Sequence, residues 1–239
     1  MLSKSQIKLI TSLKQKKYRL QYGLFAVEGL KIINELLQSN FKLEKLYTTK
    51  TFNIDAKQEE IISEADLKRI TFLKTPNKAL AVFKIPTPKK MDDSELILAL
   101  DTVRDPGNLG TIIRLCDWFG VKDLICSEET VDCFNPKVVQ ATMGSITRVN
   151  ISYLNVSEFL KQTHLPIYGT FMQGESVYTS KLSKQGILIL GNEANGISKE
   201  IEQHITKKLS IPRFGSLQAT ESLNVATATA IFLSEFKRR

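Results

Sequence analysis

Apolar positions in this chain fall into short runs divided by polar punctuation, and the period of each run predicts an element. From Leu96 onward strands alternate with helices: Leu96–Leu100 reads as strand, Asn108–Phe119 as helix, Asp123–Cys126 as strand and Pro136–Thr142 as helix. Val149–Tyr153, Ile167–Thr170, Ile187–Leu190 and Leu209–Ile211 read as further strands, with a helix at Val156–Gln162 and a short one from Ser198. Apolar strands in strict alternation with helices predict an α/β fold with a mostly parallel sheet covered on both faces. A final helix is expected from about Thr220, with Thr220 as its cap and Glu221 at the positive end of its dipole. Leu223, Ala226, Ala230 and Leu233 give it one apolar stripe; Val225, Ala228 and Phe232 give a second. A helix apolar on two sides is buried on two sides, so one of them can meet a partner subunit.

The chain before Leu96 has a different grammar. Lys4, Lys8, Lys14, Lys16, Lys17 and Arg19 crowd the first twenty residues without an acid, while Ile7, Leu9, Ile10 and Leu13 supply an apolar side, so a basic amphipathic helix opens the chain. Leu24–Val27 reads as strand, Leu30–Leu37 as helix, Leu43–Thr48 as strand, and Ala79–Phe83 as a closing strand. Ser63 with Asp66 three residues on approximates a capping box for a short helix. Residues 1–85 therefore form a small α/β domain. Pro86 and Pro88 beside a charge run make 86–94 an extended linker, and 95–239 a second domain.

Charge sharpens this division. The chain carries +8 overall, but residues 1–90 hold 18 Lys/Arg against 8 Asp/Glu, and residues 91–239 hold 15 against 17. A basic part joined to a near-neutral part points to a polyanion partner for the first, against the simpler reading of a lysine-rich solubility surface. No uninterrupted apolar stretch reaches membrane-spanning length and the N-terminus has no apolar core of a signal peptide, so a cytoplasmic protein with no membrane partner is expected. Cys116, Cys126 and Cys133 form no C-x-x-C pair, and with only His164 and His204 beside them no metal site is expected.

Open α/β sheets bind ligands at the carboxyl ends of their strands. Three such ends mix glycine with small polar groups: Asp101 through Gly110 leading into a helix with Arg114, Gly191 through Gly196, and Ile211-Pro212 through Ser222-Leu223-Asn224. The first has one G-x-x-G step rather than G-x-G-x-x-G, and no Walker-type loop occurs, which disfavours phosphate cradling. Glycine-rich backbone can instead grip an adenine edge and a small polar ligand. Leu109, Ile112, Ile113, Cys116 and Phe119 define the buried face of the first helix, and Arg114 lies nearly opposite, free for a site or for stacking on Trp118.

Taken together, Asp105-Pro-Gly-Asn-Leu-Gly-Thr-Ile-Ile-Arg114, Leu190-Gly-Asn-Glu-Ala-Asn-Gly-Ile197, and Ile211-Pro with Ser222-Leu-Asn-Val225 resemble the three motifs of the SpoU (TrmH) branch of the SPOUT RNA methyltransferases. Leu24-Phe-Ala-Val-Glu-Gly29 after a basic helix resembles that family's ribosomal-protein-like RNA-binding domain. The resemblance implies a deep C-terminal trefoil knot, a homodimer with its active site at the subunit interface, S-adenosylmethionine as cofactor, and a ribose 2′-hydroxyl of structured RNA as acceptor, rRNA ahead of tRNA. It carries over Arg114 as the residue that activates the hydroxyl, with Asn108, Glu193, Ser222 and Asn224 orienting it, the ribose or the cofactor. Leu190, Gly191, Gly196, Ile211 and Leu223 would hold the adenosine, and Lys4, Lys8, Lys14, Lys16, Lys17 and Arg19 the RNA. Arg213 stands where the family commonly has Met, and the loop from Ile211 to Ser222 is longer than the family's shortest versions. The alternative is an RNA-binding protein of the same fold that has lost catalysis.

Overall fold

A computed structural model describes residues 1–215, 217 and 222–238, which divide into two compact units. The first holds α1 (Lys4–Ser12), α2 (Lys16–Tyr22), β1 (Leu24–Glu28), α3 (Leu30–Leu37), β2 (Leu43–Thr48), β3 (Glu59–Ile61), α4 (Glu64–Ile70) and β4 (Ala79–Lys84). The chain continues through β5 (Leu96–Leu100), α5 (Pro106–Trp118), β6 (Asp123–Cys126), α6 (Pro136–Thr142), β7 (Asn150–Tyr153) and α7 (Val156–Gln162). It ends with β8 (Ile167–Ser176), β9 (Gly186–Leu190), α8 (Lys199–Glu202), β10 (Lys207–Ser210) and α9 (Val225–Lys237). Residues 1–87 and 132–147 make the first unit, 88–131 and 148–239 the second. The hydrophobic pattern assigns α6 to the second domain; its contacts place it in the first, because its neighbour Phe134 packs on Phe25 of β1 with ring centroids 4.7 Å apart.

The first unit is built on a four-stranded sheet ordered β1-β4-β2-β3, in which β4 runs antiparallel to both its neighbours. Alternation along its strands loads both faces. Ala26, Leu80 and Val82 pack with Ile10 and Leu13 of the N-terminal helices and Leu67 and Ile70 of α4. Phe25 and Phe83 project to the other side and meet in a cluster with Phe41 and Phe134.

The single opening helix read from the sequence is two helices, α1 and α2, and Arg19 accounts for the break. Its guanidinium donates to the carbonyl oxygens of Leu13 and Lys14, which a continuous helix would have used internally, and to Asp132 Oδ2 from both Nε (2.8 Å) and Nη2 (2.5 Å). Arg19 is only 2% exposed. It is therefore a structural cation, unlike Lys4, Lys8, Lys14, Lys16 and Lys17, which are exposed.

The second unit is a six-stranded sheet ordered β10-β8-β9-β5-β6-β7, parallel at every pairing. Every residue of β5 and β9 is buried. Ile97, Ala99, Ile187 and Ile189 meet Val156 and Leu160 of α7 and Ile201 of α8 on one face. On the other, α5 and α9 lie together, and Phe236 of α9 stands edge-on to Tyr168 of β8 at 5.1 Å. Cys116, Cys126 and Cys133 are buried and none is in a disulfide; burial pushes the Cys126 thiol up to about 12 and raises the Cys116 thiol as well. Among the described residues no helix is long and apolar enough to cross a membrane.

The final helix begins at Val225, later than the expected start. Asn224 caps it, accepting from the Ala226 and Thr227 N–H groups, and Leu223 is exposed rather than part of a buried stripe. The expected cap Thr220 and its neighbour Glu221 lie outside the described residues. Burial falls on one face, Val225, Ala226, Thr229, Phe232, Leu233 and Phe236, while Ala228 and Ala230 of the expected stripes are half-buried.

Removing the Arg19 side chain empties a buried site, strips the half-buried Asp132 carboxylate of its cation and frees the Leu13 and Lys14 carbonyl oxygens, which together should cost about 2–4 kcal/mol. Arg19→Ala is expected to lower the urea midpoint accordingly, whereas Lys16→Ala, at an exposed position of the same helix, should shift stability by under about 1 kcal/mol.

Candidate active site

The order of the second sheet places β9 between β8 and β5, so the connections leaving these two parallel strands run to opposite sides of the sheet where β5 and β9 pair, Leu100 opposite Leu190. The loops leaving these two strands emerge side by side, the position where open parallel sheets bind ligands. Asp101, buried at the end of β5, ties them together: its Oδ2 accepts from the Ser198 N–H at 2.7 Å and its Oδ1 from the Thr102 hydroxyl at 3.0 Å. Asn192 answers from the other loop, donating through Nδ2 to the Thr102 carbonyl at 2.8 Å. Thr102 sits in the left-handed region at φ +61, a conformation costly for a β-branched residue and sustained here by these bonds and by its N–H to Ser127 Oγ at 2.9 Å.

The turn after β9 is closed by reciprocal backbone bonds between Asn192 and Gly196. A Cβ on Gly191 would lie 2.1 Å from the Gly196 carbonyl carbon and 2.3 Å from the Ile197 nitrogen, so the close approach admits glycine alone. Gly196, at φ +67, turns the chain back. The result is a rim of exposed backbone, with Glu193 projecting from it.

Helix α5 starts beside this rim. Asp105 caps it through the Asn108 N–H at 2.8 Å, and Pro106 occupies the first turn where no N–H is required. Asn108 then joins three chain segments. Its Nδ2 donates to Glu193 Oε1 at 2.5 Å, and its Oδ1 accepts from Asn224 Nδ2 at 2.9 Å. Asn224 Oδ1 is already committed to the first N–H groups of α9. The ends of β5 and β9 and the start of α9 thus meet through side chains singled out in the sequence.

Two of those side chains stand apart. Arg114 is exposed and, six residues beyond Asn108, points about 120° away around α5. It has no hydrogen bond, ion pair or ring contact among the described residues, and Trp118 one turn on is likewise unstacked and 84% exposed. Ser222 is exposed and joins no bond within the described residues. Leu190 is buried under the rim, and Ile211 is half-buried just past β10. Asp101, Thr102 and Asn192 were not among the expected site residues. Asp101 directly after the apolar strand Leu96–Leu100, and Asn192 one residue beyond Gly186–Leu190 behind Gly191, were the available signal.

Comparison with known proteins identifies the family. A family described as the SpoU rRNA Methylase family matches residues 95–234, and one described as an MRM3-like substrate binding domain matches residues 4–81. The 23S rRNA (guanosine(2553)-2'-O)-methyltransferase RlmP of Bacillus subtilis (strain 168) is 30% identical over 227 residues, 91% of this chain and 90% of that one. A TrmH-family structure from Porphyromonas gingivalis superposes with a TM-score of 0.91 at 40% identity, over 100% of this chain and 99% of that one. An AdoMet-bound rRNA methyltransferase from Sinorhizobium meliloti gives 0.89 at 32% identity, over 100% and 96%. The match spans more than half of the chain and all three loops that Asn108 brings together, and on that ground the protein belongs to the SpoU rRNA methylase family.

Proposed function

We propose that the protein transfers a methyl group from S-adenosylmethionine to a ribose 2′-hydroxyl of RNA, with rRNA as the substrate class. The observation that carries this reading is the meeting of Asn108, Glu193 and Asn224 at the carboxyl ends of a parallel sheet, in a chain of this family. The Gly191–Ile197 rim is the surface offered to the cofactor: it is exposed beside β9, and a side chain at Gly191 would collide with the Gly196 backbone and distort the turn. Gly191, Gly196, Ile211 and Leu223 would hold the adenosine over Leu190. Bound there, the cofactor supplies a methyl group already activated on a sulfonium, so positioning of the acceptor contributes most of the remaining rate.

The acceptor hydroxyl must lose its proton as the methyl moves. Arg114 is the residue for that step. A guanidinium is a poor free base, so Arg114 acts by drawing beside the hydroxyl an RNA phosphate, whose oxygen takes the proton and passes it to solvent, and by stabilising the charge that develops on the ribose oxygen. Glu193, Asn108 and Asn224 hold the ribose and the methionine end of the cofactor, and Ser222 closes the same wall. Because Arg114 faces away from its own Asn108, we assign it to the site of a second copy, which makes the working form a homodimer. Exposed Trp118 and the half-buried side of α9 supply that interface. The deep trefoil knot belongs to the same reading, supported by the return of α9 from the edge strand β10 to lie on α5. Lys4, Lys8, Lys14, Lys16 and Lys17 provide phosphate contacts, and the protein works in the cytoplasm, without a metal. An inactive RNA-binding role is disfavoured by the intact hydrogen-bond chain at the site.

Arg114→Ala is expected to bind S-adenosylmethionine within about twofold of wild type and to lose methyl transfer by about a hundredfold or more. Calorimetry and tritium incorporation into RNA check the two halves separately, and retained transfer would remove Arg114 from the mechanism. Gly191→Ala forces the rim open and should weaken the cofactor about tenfold or more, read by the same calorimetry. Asn108→Asp sets a second carboxylate against Glu193 and removes a donor. Mutual repulsion raises the affinity of the pair for a proton, so the variant's deficit of about 1 kcal/mol should be present above about pH 5 and shrink as pH falls, measured by thermal unfolding across pH.

A further inference from the structure

The first unit has a cavity of its own. It measures about 510 Å³ and opens at the end of the sheet where β2 stops and β4 begins, walled by Thr49, Ala65, Lys68, Pro76, Asn77 and Lys78. Its rim is firmly built. The Lys78 carbonyl accepts from the Thr49 N–H at 3.1 Å, the Thr49 hydroxyl at 3.3 Å and the Thr48 hydroxyl at 3.4 Å. The segment leading to Asn77 is held from below by buried Glu28, whose carboxylate accepts from the Thr71 hydroxyl at 2.6 Å and the Phe72 N–H at 2.5 Å. Burial pushes the Glu28 carboxyl up, and these two bonds oppose that shift. Gly29, at φ +101, takes the chain out of β1 close to Asn77, 3.4 Å from where its Cβ would stand.

The lining is mixed in a specific way. Ala65 and Pro76 offer apolar surface for the face of a flat ring. Asn77 spends its Oδ1 on the Lys78 N–H at 3.0 Å, and its Nδ2 has no partner among the described residues, leaving a donor for a ring edge. Glu64 adds an acceptor that suits an exocyclic amine, and exposed Lys68 and Lys78 suit a phosphate. A base, a donor–acceptor edge and a phosphate are the parts of one nucleotide, and RNA-binding proteins read sequence from nucleotides splayed out of the stack. We propose that this pocket takes one unstacked nucleotide of the substrate RNA, its base against Ala65, Pro76 and Asn77 and its phosphate on Lys68 and Lys78. The inference rests on the methyltransferase reading above and adds where base selection occurs: lysines of α1 and α2 position the backbone, and the pocket at the far end of β4 from Lys84 reads a base.

The full-length protein is tested by fluorescence anisotropy with a short labelled single-stranded RNA of mixed sequence. Unlabelled duplex RNA and free nucleoside monophosphates serve as competitors. Ala65→Phe, at an exposed position of α4, plugs the pocket without changing charge, and Asn77→Ala removes the donor. Both are expected to weaken RNA binding about tenfold. Lys68→Glu with Lys78→Glu should weaken it similarly and lower the salt slope by about two. The same charge change at Lys122 and Lys184, at the amino ends of β6 and β9, should stay within about twofold. A cofactor-induced thermal shift verifies that each variant is folded. The proposal is overturned if Ala65→Phe and Asn77→Ala bind RNA as wild type does while wild type methylates RNA, an outcome that leaves the methyltransferase reading intact. It is equally overturned if duplex or free mononucleotide competes as well as single strand. Wild-type protein that transfers no methyl group to any RNA overturns the reading itself and the pocket with it.

Discussion

The amide of Asn108 is the point at which three segments at the carboxyl ends of the second unit's strands are joined. A side-chain amide can lie either way round, but here the choice is forced from one end. The first N–H groups of α9 can only donate, so Asn224 must offer them its oxygen. Its nitrogen then faces Asn108, whose oxygen must turn to meet it, and the Asn108 nitrogen is left for Glu193. A helix N-terminus and a carboxylate, segments far apart in the chain, are joined by two amides that polarise one another in one direction. Glu193 is thereby held where an exposed glutamate would otherwise sample many rotamers.

The same face shows why strain gathers where it does. Three loops have to converge over a sheet whose strands β10 and β9 are separated by β8, so backbone must be bent sharply at the strand ends. Thr102 takes a left-handed conformation, Gly191 comes within contact distance of Gly196, and buried Asp101 supplies the acceptors that hold both turns. These are local departures from favourable geometry, sustained by a sheet buried on both faces.

Much of this was legible in the chain because its signals are local. The strands Leu43–Thr48 and Asp123–Cys126 and the helices Leu30–Leu37, Pro136–Thr142 and Val156–Gln162 stand where periodicity puts them. What escaped was set by partners distant in sequence. A run of lysines with apolar spacing reads as one helix; only the reach of Arg19 to Asp132, 113 residues on, breaks it in two. The start of α9 moved because Asn224 caps it while bonding Asn108, 116 residues away, and propensity near Thr220 carries no trace of that. Asp101 and Asn192 look like ordinary loop residues until β5 and β9 are known to be neighbours.

The first unit is assembled from two stretches of chain, 1–87 and 132–147, and this has a consequence for how it is made. As the polypeptide leaves the ribosome, four strands and four helices emerge with Phe25 lacking the ring of Phe134 and Arg19 lacking the carboxylate of Asp132. A buried guanidinium cannot wait unpaired, so this unit stays incomplete until β5, α5 and β6 of the other have also been synthesised. A fragment cut at the proline-rich linker would lack both Phe134 and Asp132, the two partners that the first unit takes from the second stretch.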